Sequence, residues 1–220
     1  MMTVLSTKKL KHNQRSLLLS AKFSLVEYDA IHIAFVHFNM PKNIENAIFT
    51  SQNAVISFFE KNDSPSSIKK CFCVGEKTKA LLEDKGQEVV MMTEYATELA
   101  DYLIENHKED SFHFFCGNIR SDEIPTRLKS SNICFEEIKA YNTTINPKKF
   151  ERRFDAILFF SPSGVRSYCE ETSNLKNNSS VFVCIGTTTA SEAKNYSQNV
   201  VISNSTTVES VIAKAVKILT

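Results

Sequence analysis

Phe49-Thr50-Ser51-Gln52-Asn53-Ala54-Val55-Ile56-Ser57-Phe58-Phe59-Glu60 recurs 110 residues later as Phe159-Phe160-Ser161-Pro162-Ser163-Gly164-Val165-Arg166-Ser167-Tyr168-Cys169-Glu170, with Phe, Ser, Val, Ser and Glu in register. The offset is half of the 220-residue chain, so the sequence reads as a duplication. One residue further out of step, Val74-Gly75-Glu76-Lys77-Thr78 lies over Ile185-Gly186-Thr187-Thr188-Thr189, and Val89-Val90 lies over Val200-Val201. Toward the amino terminus Leu18, Glu27 and Ala30 fall on Leu128, Glu137 and Ala140.

Each copy alternates short apolar runs with segments whose apolar residues recur at three and four. Strands are expected near 3–7, 23–27, 46–50, 71–74 and 88–91, and again near 112–116, 133–138, 155–160, 181–185 and 199–202. Helices fit 11–20, 53–60, 77–85, 95–107, 121–130, 164–171, 188–196 and 206–218. Strands apolar on both faces, alternating with helices, imply parallel sheets covered on each side. The fold class is therefore α/β, with two doubly wound, flavodoxin-like parallel-sheet lobes of five strands each. The stretches 31–45 and 141–154, with Pro41 and Pro147 among polar residues, read as crossings between lobes and supply a two-stranded linker.

Composition narrows the function. Lys+Arg 26 against Asp+Glu 25 leaves a formal net charge of +1, which provides no field to draw the chain onto nucleic acid or an anionic membrane. No apolar run approaches the ~20 residues that span a bilayer, and Lys8-Lys9 follow a very short apolar start, the reverse of a signal peptide. A cytoplasmic location is expected. The six cysteines contain no C-x-x-C, and five of them lie in runs that read as buried strands, so neither zinc nor disulfides are expected.

The five glycines are sparse enough to mark positions, and four of them follow an apolar run and precede a helix-starting segment. The turns at such junctions are Thr50-Ser51-Gln52-Asn53, Gly75-Glu76-Lys77-Thr78, Cys116-Gly117-Asn118-Ile119-Arg120, Ser161-Pro162-Ser163-Gly164 and Gly186-Thr187-Thr188-Thr189. Each sets hydroxyl or amide side chains at a helix N-terminus, where free N–H groups and the positive dipole end favour an anion. The same residue types are ordinary N-caps. Five turns expected at the carboxyl edges of the sheets, where open α/β folds bind ligands, favour a polyanionic ligand over capping alone. There is no G-x-x-x-x-G-K-[ST] and no G-x-G-x-x-G, so nucleotide cofactors are not expected. His32, His37 and His113 alternate with apolar residues and read as strand-face residues. The pairs Lys148-Lys149 and Arg152-Arg153 read as solvated linker charges.

Taken in order, Ile48-Phe49-Thr50-Ser51-x-Asn53-Ala54-Val55, Val74-Gly75-x-x-Thr78, Cys116-Gly117-Asn118 with Pro125 and Leu128, Tyr141-x-Thr143, Phe159-Phe160-Ser161-Pro162-Ser163-Gly164 and Ile185-Gly186-x-Thr188-Thr189-Ala190 resemble the uroporphyrinogen-III synthase family. The resemblance implies a bilobed enzyme: lobe one from 1–33 plus 145–220, lobe two from 37–141, and linkers at 34–36 and 142–144. It implies cyclisation of hydroxymethylbilane, the product of porphobilinogen deaminase, with inversion of the last ring and loss of water. It further implies a monomer that uses no metal or organic cofactor. By the same resemblance Thr50, Ser51, Asn53, Thr78, Gly117, Asn118, Ile119, Ser161, Ser163, Gly164, Thr188 and Thr189 are candidate substrate-binding residues, and Tyr141 is the candidate donor to the leaving hydroxyl. The competing reading is a non-catalytic bilobed binding protein for a small polyanion or sugar.

Overall fold

The computed structural model describes residues 1–60, 67–171 and 179–220. It divides into two compact units, one made of Met1–His32 with Thr144–Thr220 and one of the continuous Ile33–Thr143. In chain order the elements are β1 (Thr3–Ser6), α1 (His12–Ser20), β2 (Ser24–Glu27), β3 (Ile31–Phe35), β4 (Ile44–Phe49), α2 (Gln52–Glu60), β5 (Ile68–Val74), α3 (Glu76–Asp84), β6 (Val89–Thr93) and α4 (Ala96–Asn106). They continue with β7 (Ser111–Gly117), α5 (Glu123–Ser130), β8 (Cys134–Ile145), β9 (Ala156–Phe159), α6 (Pro162–Glu170), β10 (Val181–Cys184), α7 (Thr187–Lys194), β11 (Val200–Ile202) and α8 (Val208–Leu219).

The first unit's sheet has the order β11-β10-β9-β1-β2, and the second unit's has β3-β8-β7-β4-β5-β6. All pairings in the first sheet are parallel, as are β4 with β5 and β7, β5 with β6, and β7 with β8. The first five-strand order maps onto β6-β5-β4-β7-β8 of the second, so the duplication survives in the topology. Each unit takes its β-α-β segment from one copy and its remaining strands from the other. The helix-to-strand turns repeat as well. Phe23 N–H donates to Leu18 O (3.2 Å) and Ile133 N–H to Leu128 O (3.0 Å), closing two Schellman motifs whose left-handed residues are Lys22 (φ 62°) and Asn132 (φ 57°).

Two features depart from expectation. Ile31–Phe35, part of a stretch read as a crossing, forms β3 beside β8, giving the second sheet six strands. Strand β8 runs on from Cys134 to Ile145 instead of stopping near 138. The reason is backbone satisfaction: Val36 N–H donates to Ala140 O (3.0 Å), and 110 residues further round the repeat Asn146 N–H donates to Ala30 O (2.8 Å).

Period-two alternation sorts the cores. In the first unit Leu5, Ile157, Phe159, Phe182 and Cys184 enter one cluster, while Val4, Ala156, Leu158 and Val183 enter the cluster on the other face. In the second unit Ala47, Phe49, Cys71, Cys73 and Phe115 face one way and Ile48, Phe72, Phe114 and Cys116 the other. Phe49 stacks on Phe115 at 5.1 Å, and Phe58 meets both edge-on, so a rigid aromatic block lies under the ends of β4 and β7. Each such ring contributes roughly 1.5–3 kcal/mol of burial. Helices follow the same logic. Helix α8 buries Val208, Val211, Ile212 and Ala215 on one stripe and is capped by Thr207, whose hydroxyl accepts from Ser210 N–H at 3.1 Å.

All six cysteines are free. Burial pushes the thiols of Cys71, Cys73, Cys169 and Cys184 up to about 12 and that of Cys116 up to about 11. Cys134, placed by sequence among buried strand residues, is exposed at the start of β8, and buried Cys169 lies on helix α6. His32 and His113 stand on β3 and β7, whereas His37 lies just beyond β3 and outside any strand. Among the described residues, no helix is long and apolar enough to cross a membrane.

Candidate functional site

In the second unit four parallel strands, β4, β5, β7 and β8, deliver their carboxyl ends to one edge. The turn after β4 begins helix α2, and Ser51 Oγ accepts the Asn53 N–H at 3.2 Å, the local work of a cap. The Ser51 side chain also faces the phenol of Tyr141. Thr50 and Asn53 flank it, both half-buried.

Tyr141 reaches this position through a register shift. Cys116 pairs with Lys139 and Gly117 with Tyr141, which leaves Ala140 as the extra residue of a bulge in β8. The bulge turns Tyr141 toward the cluster that already holds Ile138 and Ala140, where a regular strand would aim it at the opposite face. Ser57, fully buried on α2, donates to the Ala140 carbonyl at 2.6 Å and pins the bulge.

The phenol ring lies directly on Gly117. A Cβ at that position would stand 2.5 Å from Tyr141 Cε2 and 2.6 Å from Cζ, so only glycine fits. Tyr141 is 8 % exposed, and burial raises the phenol above its ordinary value while the nearby Ser51 hydroxyl opposes the rise. Tyr141 is therefore a hydroxyl that stays protonated across the neutral range.

The next turn is laced to the same strand. Asn118 N–H donates to Tyr141 O (3.1 Å), Asn118 Nδ2 donates to Thr143 O (3.1 Å), and Thr143 N–H donates to Asn118 Oδ1 (2.6 Å). Ile119 is exposed beyond it. Arg120 is held by Glu137 and Asp122, and Glu137 foremost keeps its guanidinium charged. These side chains, with Cys116, Gly117, Asn118 and Lys139, line a recess of ≈ 400 Å³. Thr78 is buried in the first turn of α3, behind Gly75, whose φ of 85° is a left-handed value that favours glycine.

In the first unit the carboxyl edge carries the other predicted turns. Ser161 is the N-cap of α6, its Oγ accepting the Gly164 N–H at 3.1 Å. Ser163 is buried, and Gly164 packs toward Thr7, whose hydroxyl donates to Leu158 O at 2.7 Å. Helix α7 starts from Gly186 with no side-chain cap, leaving Thr188 exposed and Thr189 buried in its first turn. Gly186 is in extended backbone (φ −169°), so it does not share the conformational demand of Gly75.

The structure thus brings Ser51, Gly117, Asn118 and Tyr141 into one hydrogen-bonded and packed group. Asn53 and Thr78 stand on helices at the same edge, and Ser161, Ser163, Gly164, Thr188 and Thr189 lie at the equivalent edge of the first unit. Sequence reading assigned no site role to Ser57, Thr7 or Thr143. The recurrence of Ser57 as Ser167 was the available signal for the first of these. Among the described residues, no three His, Cys, Asp or Glu side chains are grouped to hold a metal ion.

Comparison with known proteins fits this arrangement. Residues 22–213 match the family described as Uroporphyrinogen-III synthase HemD. The Porphyrin biosynthesis protein HemD of Ruminiclostridium josui is 27% identical over 192 residues, 78% of this chain, and the chain spans 37% of that protein's length. The crystal structure of uroporphyrinogen-III synthetase from Helicobacter pylori 26695 superimposes with a TM-score of 0.72 at 15% identity, covering 99% of this chain and 100% of that one. A mutant uroporphyrinogen III synthase from Thermus thermophilus gives 0.71 at 12% identity, covering 100% and 99%. At these identities the two structures establish a shared fold, and the sequence match over 22–213 establishes the lineage. The chain belongs to the uroporphyrinogen-III synthase family.

Proposed function

We propose that this protein is a uroporphyrinogen-III synthase, a lyase of porphyrin biosynthesis that closes hydroxymethylbilane to uroporphyrinogen III with inversion of the last pyrrole ring and loss of water. The observation that carries the reading is the family match over residues 22–213, nearly the whole chain. The chemistry suits the site. Hydroxymethylbilane loses its hydroxyl readily and closes without inversion in water, so the protein's main task is to hold the bilane in the fold that leads through the spiro intermediate.

In this reading the C–O bond to the terminal hydroxyl breaks and that carbon bonds the already linked α-carbon of the last ring, giving the spiro intermediate. The ring's original C–C link then breaks and re-forms at its free α-carbon, and the proton lost there balances the departing hydroxide as water. Tyr141 donates a hydrogen bond to the departing oxygen. A phenol raised above about 10 is too weak an acid for full proton transfer at neutral pH, and its contribution is a bond that strengthens as negative charge develops. Ser51 and Gly117 fix the phenol from two sides. Helix starts suit the substrate's acetate and propionate groups, and each unit offers its own set: Thr50, Asn53, Thr78 and Ile119 in the second, Ser161, Ser163, Gly164, Thr188 and Thr189 in the first. The enzyme works as a cytoplasmic monomer without metal or organic cofactor. Turnover therefore survives prolonged chelation and dialysis, and a loss reversed by added metal would refute that part.

The test is direct. Freshly made hydroxymethylbilane is supplied, the products are oxidised, and the isomers are separated. Isomer III in excess, formed faster than without protein, is expected. Isomer I alone, at the spontaneous rate, overturns the proposal.

A further inference from the structure

Strand β7 ends at Gly117, yet its pairing with β8 does not. The next residue continues the ladder with its side chain: the Asn118 amide both donates to and accepts from the backbone of Thr143, while the Asn118 N–H bonds Tyr141 O. A carboxamide has the donor and acceptor of a peptide group, so here it stands in for one more residue of strand. Three bonds from one residue thereby grip β8 at Tyr141 and at Thr143, on the side of the phenol opposite to the bulge held by Ser57. Thr143 is buried, so its N–H and C=O would be costly to leave unpaired.

We propose that Asn118 is a positioning residue, which sets the Tyr141 phenol by clamping the strand on which it stands, and that its side chain is not a substrate ligand. The inference rests on the synthase reading for its kinetic consequence and on the Thr143 bonds alone for its structural one. Asn118 acts where the bulge has already weakened the β7–β8 ladder, and a ring packed on Gly117 has no slack to absorb a shift of its own backbone.

The test uses Asn118→Ala and Asn118→Asp in the full chain, each also combined with Tyr141→Phe. Alanine removes both side-chain bonds. Aspartate keeps an acceptor for the Thr143 N–H but sets a second oxygen against Thr143 O. Both variants are expected to lose kcat by about tenfold or more, with a raised share of isomer I. KM is expected to stay within about twofold, because no substrate contact is removed. In the Tyr141→Phe background Asn118→Ala should add less than about twofold, since it acts through the residue already disabled. Amide exchange at Thr143, followed by NMR without substrate, should accelerate in Asn118→Ala relative to the wild type. A KM that rises steeply while kcat holds, above all in Asn118→Asp, would make the side chain a ligand and overturn the proposal. So would full additivity with Tyr141→Phe, or unchanged exchange at Thr143. A wild-type protein that makes only isomer I at the spontaneous rate would refute the synthase reading instead, and the exchange result would still judge the clamp.

Discussion

The two units are built to one plan and differ where their strands end. Ser57 and Ser167 are equivalent in the repeat, both fully buried, yet Ser57 donates to the Ala140 carbonyl while Ser167 faces the phenol of Tyr28. Among the described residues, neither the Tyr28 hydroxyl nor the Ser167 hydroxyl reaches a backbone partner. Tyr28 is enclosed in the first unit's core, with Phe150 edge-on at 5.1 Å. In the second unit the equivalent of Tyr28 is Ile138, and the tyrosine comes three residues later, past the bulge, at the sheet edge. Duplication preserved the scaffold but not the tyrosines: the first unit buries Tyr28 and Tyr168, the second Tyr141. The bulge sets the Tyr141 phenol at the end of its strand, beside the Ser51 turn and on Gly117.

The largest effect is expected from testing that difference with a single methyl group. Gly117→Ala places a carbon against two ring atoms of Tyr141, and overpacking of this kind costs roughly 1–3 kcal/mol of stability. Displacing the phenol should also lower turnover by about 10²-fold. Gly164→Ala, whose new carbon would meet Ser161 Oγ at 3.3 Å and Thr7 Oγ1 at 3.5 Å, should cost much less of both; the equivalent position of the second unit is already Ala54. Thermal melts and initial rates of the two variants decide it, and equal losses would mean that the two edges are equally constrained.

A smaller contrast is expected for the paired serines. Ser57→Ala removes a buried bond and should destabilise by about 1 kcal/mol, with some loss of rate through the bulge. Ser167→Ala removes a hydroxyl that faces only the Tyr28 phenol and makes no backbone bond, so it should cost less than Ser57→Ala. Denaturant midpoints of the two variants check this, and the reverse order would contradict the assignment of the bulge bond.

The smallest effect is expected from pH. The buried thiols rise from 9.0 to about 11 or 12 on folding, so between about 9 and 12 the unfolded chain binds fewer protons than the native one. Stability must then fall with rising pH across that window and be indifferent to these groups below it. Cys71, Cys73 and Cys116 belong to the second unit, Cys169 and Cys184 to the first, where burial also raises the Tyr28 phenol, so amide exchange at alkaline pH should quicken in both units alike. Exchange measured at pH 7 should show no contribution from these groups.

Much of the scaffold could be read from the repeat because strand alternation and helix stripes are local patterns. Phe49 and Phe159 end equivalent strands, and the α8 stripe is visible as Val208, Val211, Ile212 and Ala215. Strand β3 escaped because its His32 and Ala34 face outward and only its pairing to β8 defines it as a strand. The full length of β8 was hidden by Asn142, Thr143 and Thr144, polar residues that also suit a crossing. Ser51, Gly117 and Tyr141 are each marked in the sequence, but their meeting depends on a one-residue shift of register. The bulge shows in the sequence only as a break in alternation at Ile138-Lys139-Ala140-Tyr141, which the end of a strand would produce equally. Asn118 and Ser161 show the same limit in another way: a polar residue at a strand-end turn can serve the backbone, a ligand or both, and only geometry tells which bonds are already made.

The central claim is that the chemistry belongs to the phenol at the second unit's edge and not to its buried counterpart. Isomer-resolved turnover of hydroxymethylbilane by Tyr141→Phe and Tyr28→Phe, run beside the wild type, tests it most directly. Tyr141→Phe should fold with an unchanged melting profile, retain product affinity and lose roughly 10²-fold in rate, the scale of one well-placed transition-state donor. Tyr28→Phe should turn over as the wild type does. Near wild-type turnover by Tyr141→Phe, or an equal loss in both variants, would contradict the account.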